Sequence, residues 1–308
     1  MTASAAGPPM VLVFNPAAGR GRSKGALAEV ESQLRRRNLD YELETTSGPN
    51  DATAIARRRL EAGTTLVVAV GGDGTLNEVI NGMIEGDAGI VPGATVGVVP
   101  AGRASDFTRT FGIPKLPAHA AAHLDGPGSF PIDIGKITLR DGGVPVTRYF
   151  ANVAEAGMGA AVARRVHGMP AWLGPMDYLF AFWSVLARFS AAAVSVDLID
   201  RTYEGPALNV VVANGQFFGG GMKIAPKAAP TDGVLDIQIQ LTSKREAIAL
   251  LPKVYKGDHV PHEHIKEAKR VKVSVTAEPP FPVEADGELI GETPATFEVL
   301  PNALALKI

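Results

Sequence analysis

Val70-Gly71-Gly72-Asp73-Gly74-Thr75-Leu76-Asn77-Glu78 is the stretch on which the fold turns. A continuously apolar run, Leu66–Val70, enters glycines at 71, 72 and 74 and leaves as a helical pattern over Leu76–Ile84. A strand that ends in glycines and restarts as a helix presents unblocked backbone N–H groups, which form a cradle for phosphate. Asp73 adds a carboxylate there, suited to Mg²⁺ beside a polyphosphate. The plainer alternative is a tight turn capped by Asp73.

The neighbouring sequence repeats the pattern. Val11–Phe14 reads as a strand, followed by a turn with Asn15, Pro16, Gly19 and Gly21, then a helix over Gly25–Arg37. Tyr41–Thr46 is a second strand and Asp51–Ala62 a second helix, with Asp51 as its candidate cap. Thr95–Pro100 is a further strand, and the turn Pro100–Phe107 after it carries Asp106. Alternating helices and continuously apolar strands predict a doubly wound α/β domain with a parallel sheet. All three turns then fall on the carboxyl edge of that sheet, where such folds bind ligands. Arg20, Arg22 and Lys24 add positive charge to that edge. Gly21-Arg22-Ser23-Lys24-Gly25 matches the hydrolase string G-x-S-x-G, but Ser23 lies nine residues past Phe14, too far for a nucleophile elbow. Ser23 reads as a helix cap. The ordinary P-loop string is absent.

The character changes near Gly126–Pro131. Strand patterns follow at Ile132–Leu139, Val146–Val153, Ala193–Leu198, Ala207–Ala213, Leu235–Leu241, Arg270–Thr276 and Phe281–Glu284. Helical patterns return at Ala160–Val166, Met176–Phe189 and Lys244–Tyr255, and Ala303–Ile308 is a last strand. The second domain is therefore expected to be a β-rich antiparallel sandwich or barrel.

With 308 residues, 46% hydrophobic and 20% charged, the chain can build two cores and is not of the disordered class. Thirty Lys plus Arg against 32 Asp plus Glu give a net charge of −2, which argues against nucleic acid as a partner. No cysteine is present, so thiolate chemistry and Cys-based metal sites are excluded, and a cytoplasmic setting fits. Residues 1–9 carry no targeting pattern, and the apolar stretch Ala171–Val196 is broken by Asp177 and Arg188. The expectation is a protein in solution or lying on a membrane surface.

Smaller signals have bland readings beside sharper ones. His259, His262 and His264 are metal-like, but Pro261 and the flanking charges suggest an exposed loop. Trp172, Tyr178, Phe180, Phe182, Trp183 and Phe189 suit core packing, or an acyl-chain pocket or membrane-facing surface. Asp286 and Glu288 make a paired-carboxylate candidate if their segment is extended, or two solvated acids if Asp286-Gly287 is a hairpin turn.

The Asn-Pro-x-x-Gly turn at 15–19, the Gly-Gly-Asp-Gly-Thr-Leu-Asn-Glu-Val segment at 71–79 and the Gly102…Asp106-Phe107 turn resemble the diacylglycerol kinase catalytic-domain family, which includes bacterial lipid kinases and sphingosine kinases. The resemblance continues through Asp133-Ile134-Gly135, Ala213-Asn214-Gly215 with Gly219–Ala225, Asp232–Asp236 and Glu284-Ala285-Asp286-Gly287-Glu288. It implies an ATP-binding α/β domain over 1–131 with about 297–308 returning to it, and a β-rich lipid-substrate domain over 132–296. It implies ATP surrounded by Asn15, Pro16, Ala17, Ala18, Gly19, Arg20, Thr46, Gly72, Asp73, Gly74, Thr75, Leu76, Asn77 and Glu78. Asp73 and Asp106 would hold the catalytic Mg²⁺, partly through water, and Glu288, with Asp286, would take the acceptor hydroxyl's proton. A second, structural Mg²⁺ maps onto Asp232 and the carbonyls of Ala229 and Val234.

The chain departs from the family at Arg103 and Ser105, where the family carries a small hydroxyl residue and Asn. Arg103 either pairs with phosphate as a bidentate donor or blocks the nucleotide. The expected activity is an ATP- and Mg²⁺-dependent lipid kinase acting on a diacylglycerol-like or sphingoid-like hydroxyl, as a cytoplasmic enzyme that is either soluble or peripheral at the inner face of the membrane, with a homodimer as one option for an oligomeric state the sequence leaves open. The alternatives are an NAD kinase-like enzyme, which shares the Gly-Gly-Asp-Gly-Thr turn, and a lipid-binding protein with a decayed nucleotide site.

Overall fold

The computed structural model describes residues 10–21, 23–102, 105–169 and 177–308. Its contacts divide into two compact units: one running to Asp133 and taking in Leu300–Ile308, the other Ile134–Val299.

In the first unit, strands β1 (Met10–Phe14), β2 (Tyr41–Thr45), β3 (Leu66–Gly71) and β4 (Thr95–Pro100) form a parallel sheet in the order β2-β1-β3-β4. Helix α1 (Ser23–Arg36) leads from β1 outward to β2, whereas α2 (Asp51–Glu61) and α3 (Asp73–Met83) lead the opposite way. Crossovers of one hand then place α1 on one face and α2 with α3 on the other. All of β1 is buried, as are Val67–Gly71 of β3, because both faces are covered. Strand β2 is the edge, and Arg59 of α2 holds its Glu42 and Glu44. A short helix, α4 (Asp106–Phe111), follows β4. The connection reverses direction at β1, so the ligand crevice of this sheet lies beyond the ends of β1 and β3.

Two starts differ from the sequence reading. Ser23 is the first helical residue, and its hydroxyl donates to the Pro16 carbonyl at 3.0 Å instead of capping. Asn50, left-handed, is the cap position of α2, while Asp51 accepts from the Ser47 amide at 2.7 Å and hydroxyl at 2.8 Å.

The second unit is a sandwich. One antiparallel sheet runs β12-β11-β10-β7-β14-β15 (Ile265–Arg270, Leu235–Gln240, Asn209–Ala213, Val153–Gly157, Pro282–Ala285, Glu288–Glu292). The other pairs β9 (Thr202–Ala207), β8 (Ala192–Asp197) and β13 (Lys272–Glu278) with the first part of β16 (Ala295–Lys307). A hairpin of β5 (Ser129–Asp141) and β6 (Val144–Phe150) joins β16. Val194, Val196, Val273, Val275 and Phe297 from one sheet share a core with Val210, Val212, Ile237, Ile239 and Val283 from the other. The runs expected at Val146–Val153, Ala207–Ala213 and Arg270–Thr276 are each split by a bend between two strands. β16 is longer than expected, and its Ala305 and Leu306 lie beside Thr95 and Val96 of β4 in the first unit.

Helices α5 (Met158–His167), α6 (Asp177–Arg188) and α7 (Lys244–Lys256) pack over Met158, Val162, Ala181, Phe182 and Leu186. Phe182 is buried and Phe189 stacks near Phe281 in the core, whereas Phe180 and Trp183 are exposed. Trp172 and the Tyr178 side chain lie outside the described residues. No helix among the described residues is long and apolar enough to cross a membrane.

Candidate active site

Strand β1 delivers Asn15 to the crevice. The Asn15 amide donates to the Val70 carbonyl at 3.2 Å, its side-chain oxygen accepts from Ala17 N at 2.9 Å, and its Nδ2 donates to Thr75 Oγ1 at 3.0 Å. The turn Asn15–Gly19 is thus tied to the start of α3. Thr46, after β2, is buried and its amide donates to the Phe14 carbonyl at 2.9 Å. The backbone of Arg20 belongs to a 3₁₀ turn over Ala18–Gly21; its side chain, like Arg103, lies outside the described residues.

Gly71 and Gly72 serve different ends. A Cβ at Gly71 would stand 2.4 Å from Thr75 Oγ1, so glycine there lets the helix fold back onto its strand. A Cβ at Gly72 would meet only the Gly102 Cα, at 3.6 Å. Gly72 begins α3 in extended conformation, with no side chain capping the helix. The helix start therefore offers its amides to a ligand. Gly72→Val adopts the same backbone without strain but fills the cradle. It is expected to raise the KM for MgATP about tenfold or more, with the urea midpoint unchanged. Of the rest of the stretch expected around nucleotide, Leu76 is in the core and Asn77 Oδ1 accepts from Asn81. Glu78 Oε2 accepts from the Ala52 amide at 3.1 Å and serves the first turn of α2. These side chains are used inside the fold, and Thr75 is buried against Asn15, leaving Gly72–Gly74 as the more open part.

Asp73 and Asp106 are brought together. Asp73 Oδ2 accepts from the Asp106 amide at 3.1 Å and Oδ1 from the Phe107 amide at 3.3 Å. Asp106 is buried, with Oδ1 at 3.6 Å from Arg109 Nε. Burial pushes the Asp73 carboxyl above its ordinary value, against the pull of the Asp106 and Phe107 amides and the Arg109 guanidinium. Two desolvated carboxylates beside a phosphate cradle fit a hard divalent cation, which takes oxygen ligands.

The position mapped for a second metal is filled differently. Asp232 Oδ2 accepts from Lys269 Nζ at 2.8 Å, and the same ammonium lies 3.0 Å from Asp236 Oδ2. Asp232 Oδ1 accepts the Val234 amide at 3.3 Å, while the Ala229 carbonyl accepts the Thr231 and Asp232 amides at 2.7 and 3.2 Å. The positive charge is Lys269's own, so this donor set does not fit a metal. His259 is buried rather than in an exposed loop, and His264 pairs with Glu246. Among the described residues, no group of three or more His, Cys, Asp or Glu side chains could hold a metal.

In the second unit Asp286 (φ 48°) and Gly287 (φ 89°) are both left-handed and make the hairpin turn between β14 and β15. The extended alternative is thereby replaced. Asp286 is not a free acid either: its carboxylate accepts the amides of Ala151, Asn152 and Val153 at 2.8, 2.9 and 3.1 Å. From the other side, Asn214 Nδ2 donates to the Ala151 carbonyl at 2.8 Å. Asp286 therefore locks the entry to β7, while Glu288 just past the turn is exposed. Asp286→Ala strands three amides and is expected to cost about 3 kcal/mol, read as a lower urea midpoint.

Sequence reasoning missed two carboxyls in this region. Glu155 on β7 and Glu284 on β14 are each 2% exposed and directly opposite one another. Burial pushes Glu155 up to about 7, and burial together with the Glu155 charge pushes Glu284 well up.

Residues 9–137 match the diacylglycerol kinase catalytic domain, and 152–308 match the YegS C-terminal NAD kinase beta sandwich-like domain. A diacylglycerol kinase of Mycobacterium tuberculosis is 30% identical over 94% of this chain and 92% of its own. A crystal structure of a protein assigned as a diacylglycerol kinase in Bacillus anthracis superposes with TM-score 0.79 at 25% identity, covering 100% of this chain and 98% of the other. Yeast NADH kinase shares the fold alone, at TM-score 0.52 and 9% identity over 98% of this chain and 83% of its own. With the glycine cradle, the paired aspartates and both halves matched in order, the chain belongs to the diacylglycerol kinase family, lipid kinases that transfer phosphate to an alcohol.

Proposed function

We propose that this chain is an ATP- and Mg²⁺-dependent kinase that phosphorylates the free hydroxyl of diacylglycerol. The glycine-lined helix start at Gly72–Gly74, with Asp73 and Asp106 beside it, carries the reading. The amides of that helix start bind the phosphates of ATP, with Asn15 and Thr46 lining the nucleotide's side. Mg²⁺, when bound by Asp73 and Asp106, neutralises charge that builds on the phosphoryl oxygens. The lipid hydroxyl oxygen forms its bond to the γ-phosphorus as the bond to the β-bridging oxygen breaks. Its proton goes to Glu288, an exposed residue just past the hairpin turn. ADP and phosphatidic acid leave.

Exposed Phe180 and Trp183, with the exposed cations Arg164, Arg165, Arg188, Arg245, Lys253 and Lys256 on α5–α7, support a meeting with lipid at an anionic bilayer surface, the chain staying peripheral. The testing experiment is label transfer from γ-labelled ATP into diacylglycerol in mixed micelles, with sphingosine and NAD as competing acceptors. Label in phosphatidic acid supports the reading; label confined to NAD or to the sphingoid base defeats it.

A further inference from the structure

Glu155 and Glu284 face one another across the β7–β14 pair, a placement that brings side chains to about 5 Å between Cβ atoms. Their surroundings are specific. Glu155 Oε1 accepts from Asn209 Nδ2 at 2.9 Å, and Asn209 Oδ1 accepts the Gly159 amide at 3.2 Å, at the start of α5. Glu155 Oε2 is buried with no hydrogen-bond partner. A Cβ at Gly159 would stand 1.8 Å from that oxygen, so the carboxyl occupies the space that only glycine leaves. On the other strand, Glu284 Oε2 accepts the Gly287 amide at 2.7 Å, inside the turn that leads to Glu288.

Two adjacent carboxyls without water do not both ionise; one proton is kept between them. The other charges acting on Glu284 are Asp286 and Glu288 of its own hairpin, both acidic, which reinforce this. From the elements packed against the pair, β10 brings the uncharged Asn209, α5 brings Arg164 and Arg165, and β6 brings Arg148, all three arginines exposed. No buried cation among them offsets a second negative charge.

We propose that Glu155 and Glu284 share one proton and act as a positioning pair, holding through the Glu284–Gly287 bond the turn that presents Glu288. The catalytic consequence rests on the reading of Glu288 as the base; the pair and its grip on the turn do not. Loss of the shared proton sets two negative charges against each other across the strand pair, strains Glu284 against Glu155, and changes the charge that the Gly287 amide donates to. The sign follows from the raised values: the folded chain holds this proton at pH where the unfolded chain has released it. Stability and turn order are therefore full at low pH and fall as pH rises through the folded-state titration.

Glu155→Gln separates this from a merely structural role. Its amide oxygen still accepts from Asn209, its amide nitrogen donates to Glu284, and the repulsion is gone. In the wild-type chain the Gly287 amide resonance is expected to titrate above the ordinary carboxylate range, and kcat to fall over the same interval. In Glu155→Gln the Gly287 titration disappears, kcat at neutral pH stays within about threefold of wild type, and the alkaline fall moves upward. A wild-type Gly287 resonance indifferent to pH, or an alkaline fall that Glu155→Gln leaves in place, overturns the proposal. If Glu288→Gln keeps full turnover while Gly287 titrates as expected, Glu288 is not the base, and the pair stands as the support of the turn.

Discussion

Asp73→Asn is expected to slow phosphoryl transfer about a thousandfold while the chain stays folded. Asp73 is held by the amides of Asp106 and Phe107, and an asparagine oxygen still accepts from one of them. What the substitution removes is charge, in an enclosed place where burial already makes that charge costly. A costly buried carboxylate is retained where a cation needs it. The effect should therefore be larger on kcat than on the urea midpoint, and raised Mg²⁺ should recover part of it. A modest loss of activity matched by an equal loss of stability would reduce Asp73 to the cap of α4.

The second large effect is expected at Glu288. Glu288→Gln removes a proton acceptor on an exposed hairpin and disturbs no buried contact. On its proposed role as base for the acceptor hydroxyl, turnover should fall by about 10²–10⁴ with the KM for MgATP unchanged. Asp286→Ala should behave in the opposite manner, losing stability first, since its carboxylate is spent on three backbone amides. The two acids of one hairpin thus separate by experiment: the proposed base should lose turnover, and the acid bound to three amides should lose stability.

The first unit was legible in the sequence because its central strands are buried on both faces and read as unbroken apolar runs. The glycine turn was legible for a local reason, since strand, cradle and helix start are consecutive residues. The second unit was harder. Its strands bend, so Val146–Val153 and Arg270–Thr276 read as single runs where the chain changes partner. What was illegible there depends on residues far apart in sequence. Asp286 finds amides more than 130 positions away, and Lys269 reaches Asp232 across 37. Glu155 sits in Val-Ala-Glu-Ala-Gly, where nothing local distinguishes a buried acid from a solvated one. Only the register of β7 against β14 sets it opposite Glu284. The same distance effect hides the partner of Asp232, whose cation, Lys269, comes from a strand that the local sequence does not mention.

The most direct test of the kinase account is transfer of γ-labelled phosphate from ATP to diacylglycerol by the full chain, with Asp73→Asn and Glu288→Gln alongside. The account predicts labelled phosphatidic acid from the wild type, dependent on a divalent cation, and its loss in both variants with folding intact. No labelled lipid from a wild-type chain that binds MgATP, or equal yields from all three proteins, would contradict it.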